Sequence, residues 1–571
     1  MSLSQHTAPR TDAERSPLAA SWPSWLCALF VAAVVAISFA RLFYGVDMVD
    51  ESTYVAVPYR FCLGDTPFVD EHTPIQTSAL LSLPFVKLFY ALRGSSDGIV
   101  LYTRVLYFAL CCGVAIAVAF GLRPLVGRSA AWVVSSACVA FCPLGIPNLS
   151  YNTWSLGWFT IGVFVGVQTL VWRKSTRWLF AAGLAHGFAA IALASYAVPI
   201  ALYAVGSACL LDRAARTRGV LFYAAGGISA VALFAPWLYR FDRETLDNAY
   251  FHARTAGGWM TRVRQFAYQA WIFVPIKIAM IAALALVWIG RSRPRGAVPA
   301  AVALAILPLF PLLLRRSTNA LWYVAILALL GTALLAIAWR SAISQRFLFA
   351  IWLPSSCAGV AVSLTSLNGL FVSGCGLFPA ALGGMALAIV LVRELASTTR
   401  VRGLRALDLA FPALSIAALV AYQRRPFGDD AVELLDTRVA FGPFHGLYTT
   451  PEKARFLSSI TDDLSAAALD HESVLFVVHF PAGYLMTSMR PATHCIWTYP
   501  CTGGPWDECY SEMRRNIAEN RGRALVVARM HAFPTRRDNM WESFPNELDD
   551  ELDEGFRPIV SRAEYTLFVA K

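Results

Sequence analysis

The residues best suited to chemistry lie together in Val46–Pro74, VDMVDESTYVAVPYRFCLGDTPFVDEHTP, where Asp47, Asp50, Glu51, Asp65, Asp70 and Glu71 are joined by His72. The stretch follows the first long apolar run of the chain. A carboxylate held there, at a membrane surface and partly screened from water, can take the proton from an acceptor hydroxyl as that hydroxyl attacks an activated carbon. Partial burial would tune its pKa for that task. The same residue types have a plainer use. Asp50 and Glu51 can end a membrane helix and stay solvated, while Asp70, Glu71 and His72 lead towards a helix whose N-terminal dipole favours acids. Asp47 and Asp50 are separated by apolar residues and no Asp-x-Asp follows, so no metal is expected. There is no GxxxxGK[ST] loop, so nucleotide hydrolysis is not implied, and no cofactor is expected.

The elements that must hold these side chains are apolar helices. The chain of 571 residues is 57% hydrophobic and 15% charged, against about a quarter charged for a soluble domain. Its repeated apolar runs of roughly 20 residues are each long enough to cross a bilayer. The class is a polytopic α-helical membrane protein, with spans expected at 24–44, 99–121, 130–143, 154–172, 178–194, 196–211, 220–239, 268–289, 298–314, 321–339, 347–366, 375–392 and 406–422. That is about 13 transmembrane helices.

Charge sets the topology. Arg123/Arg128, Arg173/Lys174/Arg177, Arg213/Arg216/Arg218, Arg291/Arg293/Arg295, Arg340/Arg346 and Arg393/Arg400/Arg402/Arg405 fall in alternate connections, whereas those near 143–153, at 195 and at 367–374 carry no basic residue. The positive-inside rule places the N-terminal tail, 1–23, in the cytoplasm. The first span reads as a retained anchor, since no small-residue cleavage site follows it. The outer side then holds 45–98, 240–267 and 423–571. Thr77–Leu92 is apolar but short, with Pro84 and Lys87 inside, and is expected to lie in the interface. If it crossed, the arginine asymmetry would reverse. The net charge of +11 therefore reflects topology rather than nucleic-acid binding.

Composition changes near 423. Ser473–Phe480, Ala524–Met530 and Tyr565–Ala570 read as buried strands, and Pro451–Asp470 and Trp506–Asn520 as helices, which predicts a soluble α/β domain over 423–571. Most of the cysteines sit in apolar runs as small hydrophobes. Cys495, Cys501 and Cys509 cluster in the tail, where a disulfide would leave one over.

The pattern at 46–110 resembles a family. An Asp-Glu pair after the first span, then Tyr54, Gly64, Pro67, Asp70, His72 and Pro74 before an amphipathic helix, is similar to the polyprenyl-phosphate-sugar glycosyltransferases of the GT-C fold, which include protein O-mannosyltransferases and lipid A aminoarabinose transferases. Thr103-Arg104 resembles the family's arginine at the start of span two, and Asn148–Trp154 its Ser-Tyr-Asn loop. The likeness covers 24–422 in layout and is specific only at 46–110 and 148–154, with a looser match in the tail. It implies a polyprenyl monophosphate donor carrying one sugar, an acceptor entering from outside, Asp50 as catalytic base assisted by Glu51, and inversion at the anomeric carbon. It points to Asp70, His72, Arg104, Tyr151 and Asn152 as substrate-binding residues.

A phosphate leaving group needs cations, and arginine pairs phosphate oxygens bidentately. The 240–267 segment offers Arg240, Arg243, His252, Arg254, Arg262 and Arg264, of which Arg254 and Arg264 are the chosen candidates, and Arg315-Arg316 break the outer-side pattern. Surface pairing with Asp242, Glu244 and Asp247 is the alternative. Two other function classes compete. A transporter or flippase would show acids or broken helices at mid-membrane, but Lys277 is the main charge inside a span. A non-catalytic envelope polysaccharide assembly protein would use the tail for binding. The alanine-rich composition and the uncleaved anchor fit a bacterial inner membrane, with the tail periplasmic. Lipid A, polysaccharide, lipid and protein all remain open as acceptors.

Overall fold

The structure, a computed structural model, describes residues 22–71, 73, 75–238, 259–273, 277–278, 280–285, 319–337, 342–366, 368–399, 407–476, 480–493, 496, 515, 525–530, 552 and 554–571. Apolar helices build the body: α1 Ser24–Ala40, α4 Ile99–Val126, α5 Arg128–Ser135, α6 Ala137–Ala140, α7 Tyr151–Leu170, α8 Arg177–Ala192, α9 Ala197–Leu210 and α10 Arg213–Leu238. After α11 (Trp259–Ile272) come α12 (Ala320–Ile337), α13 (Ala342–Phe347) running through a π turn into α14 (Leu353–Thr365), α15 (Ser373–Thr399) and α16 (Ala410–Tyr422). Among the described residues, six helical segments are long and apolar enough to cross a membrane, including Ser24–Phe43, Ile99–Val126 and Gly369–Ser397. The run expected to span 130–143 is instead two short helices, α5 and α6, parted at Ser136. The span expected at 298–314 lies outside the described residues, so the number thirteen stays an expectation.

Lipid-facing helices associate by close packing rather than by a hydrophobic drive, which favours small residues at their contacts. Gly183 on α8 and Gly226 on α10 show the need: a Cβ would stand 2.0 Å from the Tyr223 carbonyl oxygen at the first and 2.1 Å from that of Phe180 at the second. Lys277, the charge that stood out in an apolar run, rests over the Trp271 ring at 4.4 Å, a cation–π contact that softens its burial.

Two further helices, α2 (Asp50–Leu63) and α3 (Gln76–Arg93), lie between α1 and α4. The α3 helix agrees with the amphipathic segment expected at Thr77–Leu92, and Phe85, Leu88 and Leu92 are exposed along it. The α2 helix was not expected. Its residues from Glu51 to Phe61 are buried, because α2 packs against α3, α4 and the C-terminal tail. Gly64 ends it in the left-handed region at φ 116°.

The tail begins with a two-stranded ribbon, β1 (Thr437–Arg438) and β2 (Tyr448–Thr449), followed by α17 (Pro451–Ala467). The Thr-Thr-Pro-Glu signal starts that helix as expected: the Thr450 hydroxyl accepts the Lys453 N–H at 3.4 Å. A five-stranded sheet has the order β4-β3-β5-β7-β6, where β3 is Ser473–Phe476, β4 Arg490–Pro491, β5 Leu525–Met530, β6 Phe556–Ser561 and β7 Tyr565–Ala570. The pairs β3–β4 and β3–β5 are parallel, β5–β7 and β6–β7 antiparallel. The strands expected at Ser473, Ala524 and Tyr565 are present. The helix expected at Trp506–Asn520 and the cysteines Cys495, Cys501 and Cys509 fall outside the described residues.

One apolar core joins the tail to α2 and α3. Val46, Met48, Tyr54, Val55 and Phe61 pack in the same cluster as Phe456, Val474, Phe476, Val526 and Tyr565. Polar ties reinforce it. Arg60 pairs with Asp65 at 2.9 Å and donates to the Met489 carbonyl at 2.9 Å, and Asp97 meets His445 Nδ1 at 2.8 Å. Glu71 accepts the N–H groups of Thr73 at 3.0 Å and of Ile496 at 3.3 Å. Burial pushes the Glu71 carboxyl up to about 8, from an ordinary value of 4.5. Folding therefore favours its protonated form, and the stabilisation is fully present below pH 4.5 and lost as pH rises through about 8. The contact of Glu71 with Ile496 is expected to loosen at pH 9 relative to pH 6, and Glu71→Gln to remove that difference, as read by hydrogen exchange of the Thr73 and Ile496 amides.

Candidate active site

The site is built where α1 gives way to α2. A short 3₁₀ turn, Arg41–Phe43, ends the helix, and the chain then runs extended at Tyr44. Gly45 follows at φ 86°, where a Cβ would stand 2.3 Å from Pro426 Cβ. Asp47, two residues before the N-cap Val49, ties down the start of the next helix: Oδ1 accepts the Val49 N–H at 2.9 Å and Oδ2 the Glu51 N–H at 2.7 Å. Asp50 and Glu51 open α2, where acids suit the positive end of the helix dipole.

Adjacent residues on a helix point about 100° apart, and here that separates two carboxylates by role. Glu51 is 1% exposed and locked to Arg104, whose Nε donates to Oε1 at 2.7 Å and whose Nη2 donates to Oε2 at 2.6 Å. The Asn148 amide donates to Oε1 as well, at 3.0 Å. The remaining Arg104 donors go to the carbonyls of Leu42 at 2.6 Å, Tyr44 at 3.2 Å and Gly45 at 2.7 Å. A guanidinium has five N–H bonds, and all five are used. The expected contact of Arg104 with a substrate phosphate therefore finds no free N–H, and both Glu51 oxygens are occupied.

Asp50 differs in every respect. It is only partly buried, and among the described residues no group hydrogen-bonds its carboxylate. Burial raises it from 3.8 to about 6. Its charge reaches Tyr54 on its own helix and Tyr151 at the start of α7. Those two rings meet edge to face with centroids 5.8 Å apart. Asn152 follows Tyr151 in α7 and is buried. Burial, helped by the nearby Asp50 charge, also pushes Asp47 up, while the N–H groups it accepts oppose that. Asp50 thus presents a carboxylate with unused acceptor capacity near Tyr54 and Tyr151.

The local sequence explains the meeting. Ser150 caps α7 in a capping box, with its hydroxyl accepting the Thr153 N–H at 3.2 Å and its N–H bonding Thr153 Oγ1 at 2.7 Å. Tyr151 and Asn152 thus occupy the first turn of a helix rather than a free turn. The other expected site residues are placed less centrally. Asp70 is exposed and accepts the Thr66 N–H at 2.6 Å, which closes a turn. Arg264 stands exposed on α11 with no partner among the described residues. His72 and Arg254 lie outside the described residues, as do Arg240, Arg243, His252, Arg315 and Arg316.

Sequence reasoning passed over Asp47 as the tie at the start of α2, Asn148 as a ligand of Glu51, and the tail residues Asp429 and Lys453 that border the site.

No family model and no characterised sequence matches the chain significantly. Among solved structures it is similar to ArnT from Cupriavidus metallidurans in the apo state, at 14% identity over 95% of this chain and 97% of that one, TM-score 0.44. It is also similar to ArnT from Cupriavidus metallidurans bound to undecaprenyl phosphate, at 12% identity over 96% and 98%, TM-score 0.43. A third is the Archaeoglobus fulgidus oligosaccharyltransferase tethered to an acceptor peptide, at 11% identity over 96% of this chain and 74% of that chain, TM-score 0.48.

Proposed function

We propose that this protein is a membrane glycosyltransferase that moves a sugar from a polyprenyl-phosphate-linked donor to an acceptor on the outer face of the membrane, with Asp50 as general base. The observation that carries the reading is the isolation of Asp50: partly buried, raised to about 6, and free of hydrogen-bonding partners among the described residues. Its neighbour Glu51 is spent on Arg104. A base needs an unoccupied lone pair and a pKa near working pH, and Asp50 has both.

In the proposed step the acceptor O–H gives its proton to Asp50 while its oxygen forms a bond to the anomeric carbon. The sugar–phosphate C–O bond breaks on the opposite face, polyprenyl phosphate leaves with the bonding pair, and the centre inverts. Tyr54, Tyr151 and Asn152 line the same place and orient the sugar or acceptor. Arg104 is assigned to holding Glu51 and, through it, the first turn of α2. The cation for the leaving phosphate is then Arg264 or Arg254. Asp70 and His72 are assigned to acceptor binding.

The test is sugar transfer from a polyprenyl-phosphate-sugar pool in membranes, wild type against Asp50→Asn. Transfer abolished in a variant that still inserts and folds supports the reading. Undiminished transfer removes Asp50 from the mechanism, and a wild type that transfers from no such donor removes the reading itself.

A further inference from the structure

The backbone leading to Asp50 is held by the tail. Gly45 N–H donates to the Tyr448 carbonyl at 2.8 Å, and Met48 C=O accepts the Ala482 N–H at 3.1 Å. Between them Val46 is bound on both sides. Its N–H donates to Asp429 Oδ2 at 2.7 Å, and its C=O accepts from Lys453 Nζ at 2.8 Å. Lys453 is 0% exposed and Asp429 2%. They stand 3.9 Å apart, and each is completed by other groups: Lys453 by the Gly428 carbonyl at 2.6 Å, Asp429 by the Thr449 hydroxyl at 2.7 Å and the Asp430 N–H at 3.0 Å.

A buried charge pair is seldom retained for stability, since desolvation offsets most of the attraction. What this pair gains is a fixed geometry. A single residue, Val46, is gripped at its N–H and its C=O by opposite charges, and the next residue is Asp47, which ties down the start of α2. The turn that carries Asp429 also presses on Asp47 directly. Gly428 sits at φ 68°, and a Cβ there would lie 2.9 Å from Asp47 Oδ1 and 3.0 Å from Asp47 Cβ. The tail-bound stretch Gly45–Met48 therefore ends two residues before Asp50, the first residue of α2.

We infer that Asp429 and Lys453 are positioning residues: the tail acts as a clamp that sets Asp47, whose carboxylate holds the start of α2, and thereby the place of Asp50, so that the membrane part alone holds an incomplete site. The effect on sugar transfer rests on the glycosyltransferase reading, whereas the clamp itself does not.

The experiment uses the full-length protein in detergent or nanodiscs, with Lys453→Met and Gly428→Ala as variants and Arg562→Gln as control. Arg562 pairs with Asp463 at 3.1 Å on the exposed side of the tail and touches nothing at the site. Hydrogen exchange is expected to rise at 44–56 in both clamp variants, with α7 and β5 unchanged. Turnover is expected to fall roughly 100-fold, the order of loss that a displacement of about 1 Å produces, with the donor KM little changed. The acid limb of the pH–rate profile should move below about 6 as Asp50 becomes better hydrated. The control should match wild type in all three readouts.

Gly428→Ala keeps the buried charges, so it tests the clamp even if Lys453→Met fails to fold. Unchanged exchange at 44–56 in a folded variant overturns the inference. Exchange that rises equally throughout the tail and the helices also overturns it, because the pair would then be merely structural. If wild type transfers no sugar, the glycosyltransferase reading falls, and the exchange pattern alone decides the clamp.

Discussion

Arg104→Met is expected to destabilise the protein by about 3–5 kcal/mol, the usual cost of removing one partner of a buried ion pair. The substitution would strand Glu51 as an anion that is 1% exposed, with Asn148 as its remaining ligand. It would also orphan the carbonyls of Leu42 and Gly45, where the chain turns from α1 towards α2, and leave that of Tyr44 to Arg41 alone. Glu51→Gln should cost less. The amide keeps the shape, and Arg104 keeps its three carbonyls. The double variant should lose less than the sum of the single ones, because neither charge is then left alone. Folded yield and melting temperature in detergent check the order. An Arg104→Met protein as stable as wild type would mean that the pair is dispensable.

Asp50→Asn, one residue from Glu51, is expected to behave in the opposite way: normal folding and turnover reduced by roughly 10²–10⁴, the usual share of general-base catalysis. The sign of the pH effect follows from a carboxyl raised from 3.8 to about 6. The base must be ionised, so wild-type turnover should be full above about pH 6 and fall as pH drops through that value. Any residual turnover of Asp50→Asn should lack that limb. Folding favours the protonated carboxyl, so this contribution to stability is present below pH 3.8 and lost as pH rises through about 6. The Asn variant should therefore melt no lower than wild type at pH 7.5, as expected where function is held against stability. A variant that melts well below wild type would give Asp50 a structural role.

The legible parts of the molecule were those with a period or a run. The long spans at α1, α4, α12 and α15 announce themselves by uninterrupted apolar length, and α17 by its Thr-Pro-Glu start. The α2 helix was hidden because it is buried from Glu51 to Phe61 and so has no polar face to set a period. It also carries Pro58. The β6 strand, FRPIVS, was missed for a related reason: its register shifts between Pro558 and Val560, and its alternation is broken there. At the site, residue types pointed to Asp50 and Arg104. They could not say that Arg104 is consumed by Glu51, because that pairing closes over 53 residues and belongs to tertiary structure. Asp429 and Lys453 were invisible for the same reason, being polar residues of a soluble tail that find their partner at Val46.

That last contact also fixes an order of assembly. Lys453 follows Val46 by 407 residues. At the ~5–20 residues per second of protein synthesis, the segment carrying Asp50 waits roughly 20–80 s for the residues that hold it. Throughout that interval the helices can insert one after another, while Gly45–Met48 keeps four backbone groups open to water or to a chaperone. Completion of the site is thus tied to completion of the chain, and a product cut short before the tail would sit in the membrane with its site unassembled.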